Sequence, residues 1–274
     1  MAPGEVPEYI EPMTGPALLP QTSPPRPSLA PWRLPGQCVV CRSWQRQVLC
    51  QRCTQAFAPP TARCTRCALP LERCNRVGEN DICSSCEAYP PLFDRAVAAV
   101  DYLPPWSQLI AQFKFQHNVA LSATLVKLML PPLRGTGPRP HCIVPVPLST
   151  ARLRERGYNQ SWLLAQGLGR ALQIPAWPLA LRRLRDTPKL MTLHADERRT
   201  HIQGAFGLHE RFRRALAGRH VAVVDDVMTS GATLNEITRT LQEVGVRQVS
   251  VWVVARTPAP APAPPPPTHK PMQP

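Results

Sequence analysis

The chain has 274 residues, a formal net charge of +14 and ten cysteines. This length allows one full α/β domain with a smaller companion, since single domains usually have about 100–200 residues. No stretch approaches the ~20 consecutive apolar residues that span a bilayer, and the start of the chain carries acids and prolines where a signal peptide has a basic and then an apolar run. We therefore expect no membrane insertion and a cytoplasmic location.

Proline is concentrated at the two ends of the chain. Ten of the 35 prolines lie in residues 1–35 and nine in 258–274, and neither stretch has apolar periodicity. Such composition is typical of disordered or polyproline segments. We expect disordered proline-rich tails over 1–37 and 258–274, a cysteine-rich module over 38–90 and an α/β domain over 91–257.

The cysteine-rich module contains four Cys-x-x-Cys pairs. Two thiolates separated by two residues reach one tetrahedral ion, and two such pairs complete a structural zinc site. A disulfide knot or a redox-active pair is the alternative, disfavoured by a reducing compartment and by the lack of a thioredoxin-like βαβ pattern. The expected ligands of two structural Zn²⁺ ions are Cys38, Cys41, Cys50, Cys53, Cys64, Cys67, Cys83 and Cys86. Sequential and interleaved pairing both remain open.

The rest of the folded part alternates between strand and helix patterns. Strands are predicted at 95–103 and 141–146 with a helix over 107–130 between them. A helix over 158–172, a short apolar run near 177–181, a charged loop over 182–205, a strand at 221–225, a helix over 233–244 and a strand at 249–255 follow. This order predicts a parallel sheet flanked by helices, with ligands bound beyond the carboxyl ends of the strands.

The strongest functional signal lies where the strand at 221–225 gives way to the next helix. Free amides and the positive end of the helix dipole would bind a phosphate there, and two adjacent carboxylates suit the vicinal hydroxyls of a sugar or a magnesium-bound sugar. Asp226 and Thr233 as ordinary turn and N-cap residues are the alternative. The predicted binding segment comprises Asp225, Asp226, Val227, Met228, Thr229, Ser230, Gly231, Ala232 and Thr233.

Other phosphate-binding motifs do not account for this chain. It contains no Gly-x-x-x-x-Gly-Lys-Ser/Thr sequence, which excludes a P-loop nucleotide triphosphatase. Gly167-Leu-Gly169 lies inside a helical pattern and lacks the third glycine of a dinucleotide fingerprint.

The segment 225–233 closely resembles the motif that binds 5-phosphoribosyl 1-pyrophosphate (PRPP) in type I phosphoribosyltransferases. The resemblance extends over most of 38–257 to the ComF family, also called GntX or competence protein F. It is carried by the cysteine-rich module, Phe113-Lys114-Phe115, Pro145-Val146-Pro147 with Arg152 and Arg156-Gly157-Tyr158-Asn159-Gln160, Thr187-Pro188 and the segment 225–233. It implies a type I phosphoribosyltransferase fold that binds PRPP with Mg²⁺.

The resemblance also implies a pyrophosphate side to the site. It comprises Val146, Pro147, Arg152 and Arg156, and guanidinium groups near a strand end suit a diphosphate. A solvated charged turn is the alternative for these arginines. Lys114, between two aromatic residues, is either a phosphate ligand or a helix lysine that extends its ammonium to solvent.

Two positions depart from the family pattern, in the loop that closes over the site in type I transferases. Leu190 replaces the usual Gln and His201 the usual Asn. Two functions therefore stay open. One is transfer of the phosphoribosyl group to an acceptor that the sequence does not reveal, with release of pyrophosphate. The other is a non-catalytic DNA-uptake factor of natural transformation, which binds single-stranded DNA with the competence machinery and uses PRPP or a nucleotide as regulatory ligand.

Overall fold

A computed structural model describes residues 36–71, 76–77, 81–135, 137–185 and 202–258. Most of the two predicted tails, Cys74, and the predicted closing loop with Thr187-Pro188, Leu190 and His201 lie outside these described residues. Gly36 and Gln37, predicted as the end of the first tail, form a short strand instead.

The centre of the structure is a four-stranded parallel sheet. Its strands are β5 (Arg95–Asp101), β6 (Cys142–Pro145), β9 (His220–Met228) and β10 (Gln248–Arg256). Their order across the sheet is β5-β10-β9-β6. Because all four strands run the same way, their carboxyl ends meet at one edge, where ligands of open α/β sheets bind.

Helices cover both faces of the sheet. They are α3 (Trp106–Phe115), α4 (Leu121–Leu133), α5 (Thr150–Arg156), α6 (Gln160–Leu172), α7 (Glu210–Leu216) and α8 (Ala232–Gln242). Successive residues of β9 alternate between two cores, with Val221 and Val223 in one and Ala222 and Val224 in the other. One core is closed by α8 and α7, the other by α3, α4 and α6. The predicted α/β class is thereby confirmed.

Three regions differ from the sequence prediction or from an alternative that was kept beside it. The helix expected over 107–130 is two helices, because the backbone turns at His117, which has a left-handed φ of 54°. Apolar spacing continues on both sides of this break, so periodicity did not reveal it. The charged segment after 181 begins with β7 (Leu181–Arg183), which pairs with β8 (Phe206–Leu208) in a two-stranded antiparallel sheet. The arginines after Ser149 lie on α5 instead of in a turn.

The sequence Gly167-Leu-Gly169, which is not a dinucleotide fingerprint, has a packing role. Both glycines lie inside α6, and a Cβ on Gly167 would lie 2.7 Å from Val126 Cγ2 on α4. Gly167 thus allows the two helices to approach closely, which explains its presence without a bound dinucleotide.

The cysteine-rich module is built from short elements. These are β1 (Gly36–Gln37), β2 (Trp44–Gln45), α1 (Gln51–Phe57), β3 (Arg76–Val77), β4 (Ile82–Cys83) and α2 (Ser84–Ala88). Both strand pairs are antiparallel hairpins. Elements this short cannot build a large apolar core, so other bonds must stabilise the module.

Within the part of the chain that the structure describes, no helix has both the length and the apolar character needed to cross a membrane.

Candidate functional site

Two of the predicted ligand segments begin side by side at the carboxyl edge of the sheet. Pro145 at the end of β6 is opposite Val224 in β9, and the Val146 amide donates a hydrogen bond to the Val224 carbonyl over 2.9 Å. The strand register therefore brings Val146 and Pro147 next to Asp225 and Asp226. The strand continues to Met228, so the acids lie within β9 and only Thr229, Ser230 and Gly231 form the turn before α8.

Asp225 is held in one orientation. Its Oδ1 accepts hydrogen bonds from the Ser161 hydroxyl at 2.8 Å and from the Asp226 amide at 2.9 Å. Burial, and next the negative charge of Asp226, raise the pKa of the Asp225 carboxyl to about 7. A cation or a hydroxyl donor that approaches this carboxylate would stabilise its charged form and lower its pKa.

Asp226 is buried and paired with Lys114. The Lys114 ammonium lies 2.8 Å from Asp226 Oδ1. Burial alone lowers the pKa of Lys114, but the Asp226 carboxylate outweighs this effect and the net pKa shift is upward. The second carboxylate oxygen, Asp226 Oδ2, is buried without a hydrogen-bond partner among the described residues. A buried acceptor of this kind is costly unless a ligand or water completes it.

The turn after β9 presents amides and hydroxyls. Gly231 has a left-handed φ of 77° and caps α8, a conformation that costs a side-chain-bearing residue about 1–2 kcal/mol. The side chains of Thr229 and Ser230 are exposed. In the described part of the chain, the Thr233 and Leu234 amides have no protein acceptor. A small cavity of about 40 Å³ lies here, lined by 225 and 227–234.

The block 113–115 meets the block 156–160 next to these acids. The Tyr158 hydroxyl donates to the Phe113 carbonyl, and the Arg156 guanidinium stacks on the Phe115 ring at 4.9 Å. The Asn159 side chain donates to the Val146 carbonyl over 3.0 Å. Sequence blocks that the resemblance identified separately are thus one contiguous group of side chains.

The structure separates the predicted pyrophosphate-side residues into two kinds. Val146 and Pro147 are buried at the sheet edge, and Lys114 contacts Asp226. Arg152 and Arg156 lie on α5, a helix capped by Ser149, whose hydroxyl accepts from the Arg152 amide at 3.3 Å. Arg156 Nε is buried without a hydrogen-bond partner among the described residues. A buried donor without a partner is costly unless a ligand or water completes it.

Sequence reasoning missed two residues of this site. Ser161 orients Asp225 through a hydrogen bond. The sequence feature that could have identified Ser161 is its position directly after the Asn159-Gln160 block. Arg256, at the end of β10, donates to the carbonyls of Met228 and Thr229 at 3.1 and 2.5 Å. No neighbouring residue in the sequence indicated a role for Arg256, because it ends an apolar strand and the turn that it contacts is distant in the chain.

The eight paired cysteines form two groups of four, which answers the question of pairing. Cys38, Cys41, Cys50 and Cys53 form one group, and Cys64, Cys67, Cys83 and Cys86 the other, with the sulfurs of each group within 4.8 Å of one another. We call them cluster 1 and cluster 2. The pairing is sequential rather than interleaved.

The geometry of both clusters fits a tetrahedral metal ion. Cys41 and Cys50 sulfurs are 3.8 Å apart, and Cys67 and Cys83 sulfurs 3.7 Å apart. Sulfurs about 2.3 Å from a tetrahedral zinc would be about 3.8 Å apart, whereas a disulfide would need about 2.05 Å. Backbone amides also point at the sulfurs, as from Cys83 to Cys64 at 3.4 Å.

Without a cation, ionisation of some thiols in a cluster opposes ionisation of the others. Burial, and then the neighbouring sulfurs, raise the pKa of Cys53 to about 12. Its hydrogen-bonding contact with Cys64 raises the pKa of Cys67 to about 12 as well. A divalent cation would reverse both effects, because it stabilises thiolates.

A larger cavity lies elsewhere. It measures about 520 Å³, lies between the cysteine-rich module and α4, and has a mainly apolar lining that includes Pro59, Pro60 and Leu128. None of the residues 225–233 lines it. A cavity of about 630 Å³ beside cluster 1 is larger still. Size alone would therefore not select the end of β9, where the oriented acids lie.

Comparisons with known proteins agree with this fold and with the sequence resemblance. The phosphoribosyl transferase domain family matches residues 192–265. The chain is 35% identical to the DNA utilization protein YhgH of Escherichia coli O157:H7 over 82% of this chain and 98% of that protein. It is 38% identical to competence protein F of Haemophilus influenzae over 64% of this chain and 78% of that protein. Competence protein ComFC of Bacillus subtilis is 24% identical over 76% of this chain and 89% of that protein.

The parallel sheet, its flanking helices and the matched domain define a protein of the phosphoribosyltransferase fold. Within that superfamily the chain belongs to the ComF family. The family assignment made from the sequence is confirmed.

Proposed function

We propose that this protein binds PRPP with Mg²⁺ at the end of β9 and transfers its phosphoribosyl group to an acceptor, releasing pyrophosphate. The observation that carries this proposal is the junction at 225–233. There, an oriented carboxylate, a buried acid with one oxygen that lacks a partner among the described residues, and the amides of a helix start lie within nine residues. A sugar phosphate complements this junction, because its hydroxyls can donate to the carboxylates and its phosphate can accept from the amides.

Each part of the junction has a role in this proposal. The amides and hydroxyls of the turn Thr229–Gly231 and of Thr233 bind the 5′-phosphate. Asp225 and Asp226 accept hydrogen bonds from the ribose hydroxyls. Val146, Pro147, Arg152, Arg156 and Lys114 form the pyrophosphate side.

The reaction breaks the bond between the anomeric carbon and a pyrophosphate oxygen, whose electron pair leaves with pyrophosphate. Mg²⁺, when bound, neutralises this leaving group. The protein contributes positioning, because a nucleophile must approach the opposite face of the sugar, and cationic side chains that stabilise the departing charge. An amine acceptor would form the new carbon–nitrogen bond and then lose a proton.

We propose that clusters 1 and 2 each hold a structural Zn²⁺ ion, and that residues 38–90 form a module stabilised by these ions beside the domain 91–257. The sulfur separations and the amide-to-sulfur contacts support zinc. With four sulfur ligands no coordination position stays open for a substrate, so the ions have no part in catalysis.

Calorimetric titration with PRPP and excess Mg²⁺ tests the proposed ligand. We expect saturable binding below millimolar PRPP, and in Asp226→Asn an affinity about 10- to 150-fold lower, the range for a hydrogen bond to a charged group. Glu210→Gln is the matched control, since Glu210 is exposed on α7 and its change removes one carboxylate away from the site. Unmodified protein that ignores millimolar PRPP would refute the proposal. Pyrophosphate release with a panel of amines then tests the transfer step.

A second candidate function rests on a different observation, a group of rings and arginines around β8 and α7. The Trp177 and Phe212 rings lie 5.4 Å apart. The Arg211 guanidinium lies 4.7 Å from the Phe212 ring, and that of Arg219 lies 5.8 Å from the Trp177 ring. Rings interleaved with cations suit single-stranded nucleic acid. Relatives of this chain are named for DNA utilization and for competence. We propose this as the surface that would bind single-stranded DNA if the protein acts in DNA uptake with the competence machinery.

Electrophoretic mobility shift of a labelled single-stranded oligonucleotide separates the two functions. If DNA is a ligand, Trp177→Ala with Arg211→Ala lowers its affinity by about 5- to 150-fold, the range for loss of one stacked base. Arg170→Ala, an exposed arginine of α6, serves as the charge control. Binding that weakens with salt and survives Asp225→Asn supports the DNA function. Equal shifts for the double variant and the control would exclude this surface.

A further inference from the structure

Arg256 connects the sugar-phosphate turn with a cysteine cluster. It is the last residue of β10, whose register puts it opposite Met228 in β9 and Asp101 in β5. Its guanidinium is buried, although no carboxylate pairs with it among the described residues. Four hydrogen bonds run from it to backbone carbonyls, and it also interacts with the side chain of Cys67.

One side of the guanidinium holds the start of the turn. Nη1 donates to the carbonyls of Met228, Thr229 and Thr257, and the Thr257 amide donates to the Met228 carbonyl as well. Because the N–H of a trans peptide points away from its C=O, fixing the carbonyls of Met228 and Thr229 also fixes the amides of Thr229 and Ser230, which are directed away from Arg256.

The other side of the guanidinium holds cluster 2. Nε donates to the carbonyl of Cys67 over 2.8 Å. Two further contacts attach the same segment to the sheet. The Ala96 amide of β5 donates to the Thr65 carbonyl over 3.0 Å, and Arg63 pairs with Asp101 at 2.7 Å.

Apolar packing also connects the segment of cluster 2 with the turn before α8. Ala68, next to Cys67, is fully buried in the core that also contains Phe93 and Met228. Phe93 and the Met228 sulfur are the groups that a Cβ on Gly231 would meet, at 3.8 Å. Cluster 1 has no such connection in the described residues. Its segment packs against the core on the opposite face of the sheet.

We propose that a metal ion in cluster 2 controls sugar-phosphate binding through Arg256. The ion fixes the Cys64–Cys67 segment, the Cys67 carbonyl fixes the guanidinium, and the guanidinium holds the turn in its binding conformation. Cluster 1 stabilises the module but leaves the turn unchanged. This inference rests on the proposed binding of PRPP for its ligand, but the coupling itself is measurable without one.

Amide hydrogen exchange of residues 229–233 in the metal-loaded protein measures the coupling directly. In Arg256→Lys we expect exchange at least tenfold faster in this segment and unchanged in β6, with two zinc equivalents retained. Cys67→Ser should lose one zinc equivalent and show the same local acceleration. Cys41→Ser, the matched control in cluster 1, should also lose one equivalent but leave exchange at 229–233 within twofold of the unmodified protein.

A second measurement needs no variant. Coupling is reciprocal, so PRPP with excess Mg²⁺ should slow release of one of the two zinc equivalents to a chelator at least fivefold and leave the other unchanged. Exchange at 229–233 that is equal in Arg256→Lys, Cys67→Ser and unmodified protein would overturn the coupling, as would acceleration spread equally over β6. Unmodified protein that does not bind PRPP would instead refute the proposed ligand, and the exchange data would still decide the role of Arg256.

Discussion

Replacing Asp225 by asparagine is expected to stabilise the protein at pH 8 and, in the same variant, to weaken PRPP binding by at least tenfold. Burial and the charge of Asp226 raise the pKa of Asp225 from 3.8 to about 7. Asparagine keeps an oxygen that can accept from the Ser161 hydroxyl but removes the charge. Removing the cost of ionising this buried carboxyl should raise the free energy of unfolding by about 1–3 kcal/mol.

The pH dependence of this gain follows from the direction of the shift. Between pH 3.8 and about 7 the native carboxyl retains a proton that the unfolded chain has released. Native stability therefore falls as pH rises through this window, and the penalty is complete above it. Asp225→Asn should match the unmodified protein near pH 4 and exceed it at pH 8.

Denaturant unfolding at both pH values, with PRPP titration at pH 8, checks this prediction. Asp81→Asn, at a half-buried acid of the cysteine-rich module, provides the control for loss of one negative charge. An equal stability change at pH 4 and pH 8 would show that Asp225 is ionised normally. Tight PRPP binding by the variant would show that the Asp225 charge has no part in ligand recognition.

Removal of the metal from either cluster is expected to have the second large effect. The module between 38 and 90 has only short elements, and its small apolar clusters consist mainly of the cysteines themselves. Structural zinc sites contribute roughly 10–16 kcal/mol of apparent binding free energy, which is comparable to the roughly 5–15 kcal/mol net stability of a typical domain. Loss of even about 3 kcal/mol would lower Tm by roughly 6–12 °C at this size.

Metal analysis combined with thermal unfolding tests the clusters. The unmodified protein should contain two zinc equivalents, and Cys38→Ser and Cys64→Ser should each contain one and unfold at lower temperature. Cys142→Ala is the matched control, because Cys142 is equally buried but lies in the main core outside both clusters. Full metal content in either cluster variant, or disulfide-linked protein without metal, would contradict the zinc proposal.

The local signals in the sequence were sufficient for the fold class, the family and the candidate ligand segment. An apolar strand, two acids, a hydroxyl-bearing turn with glycine and an amphipathic helix follow one another within 221–241. All of these features depend on neighbouring residues, so spacing and composition reveal them. The same holds for the four Cys-x-x-Cys pairs, whose chemistry depends on a two-residue separation.

Contacts between distant parts of the chain were decided by the tertiary structure alone. The sequential grouping of the cysteines, the pairing of Lys114 with Asp226 and the role of Ser161 all required the strand order and the packing of the helices. Ser161 and Asp225 are 64 positions apart, and Cys67 and Arg256 are 189 positions apart. Periodicity reports which face of an element is buried, but not which distant group it meets, because that depends on how the sheet brings its strand ends together.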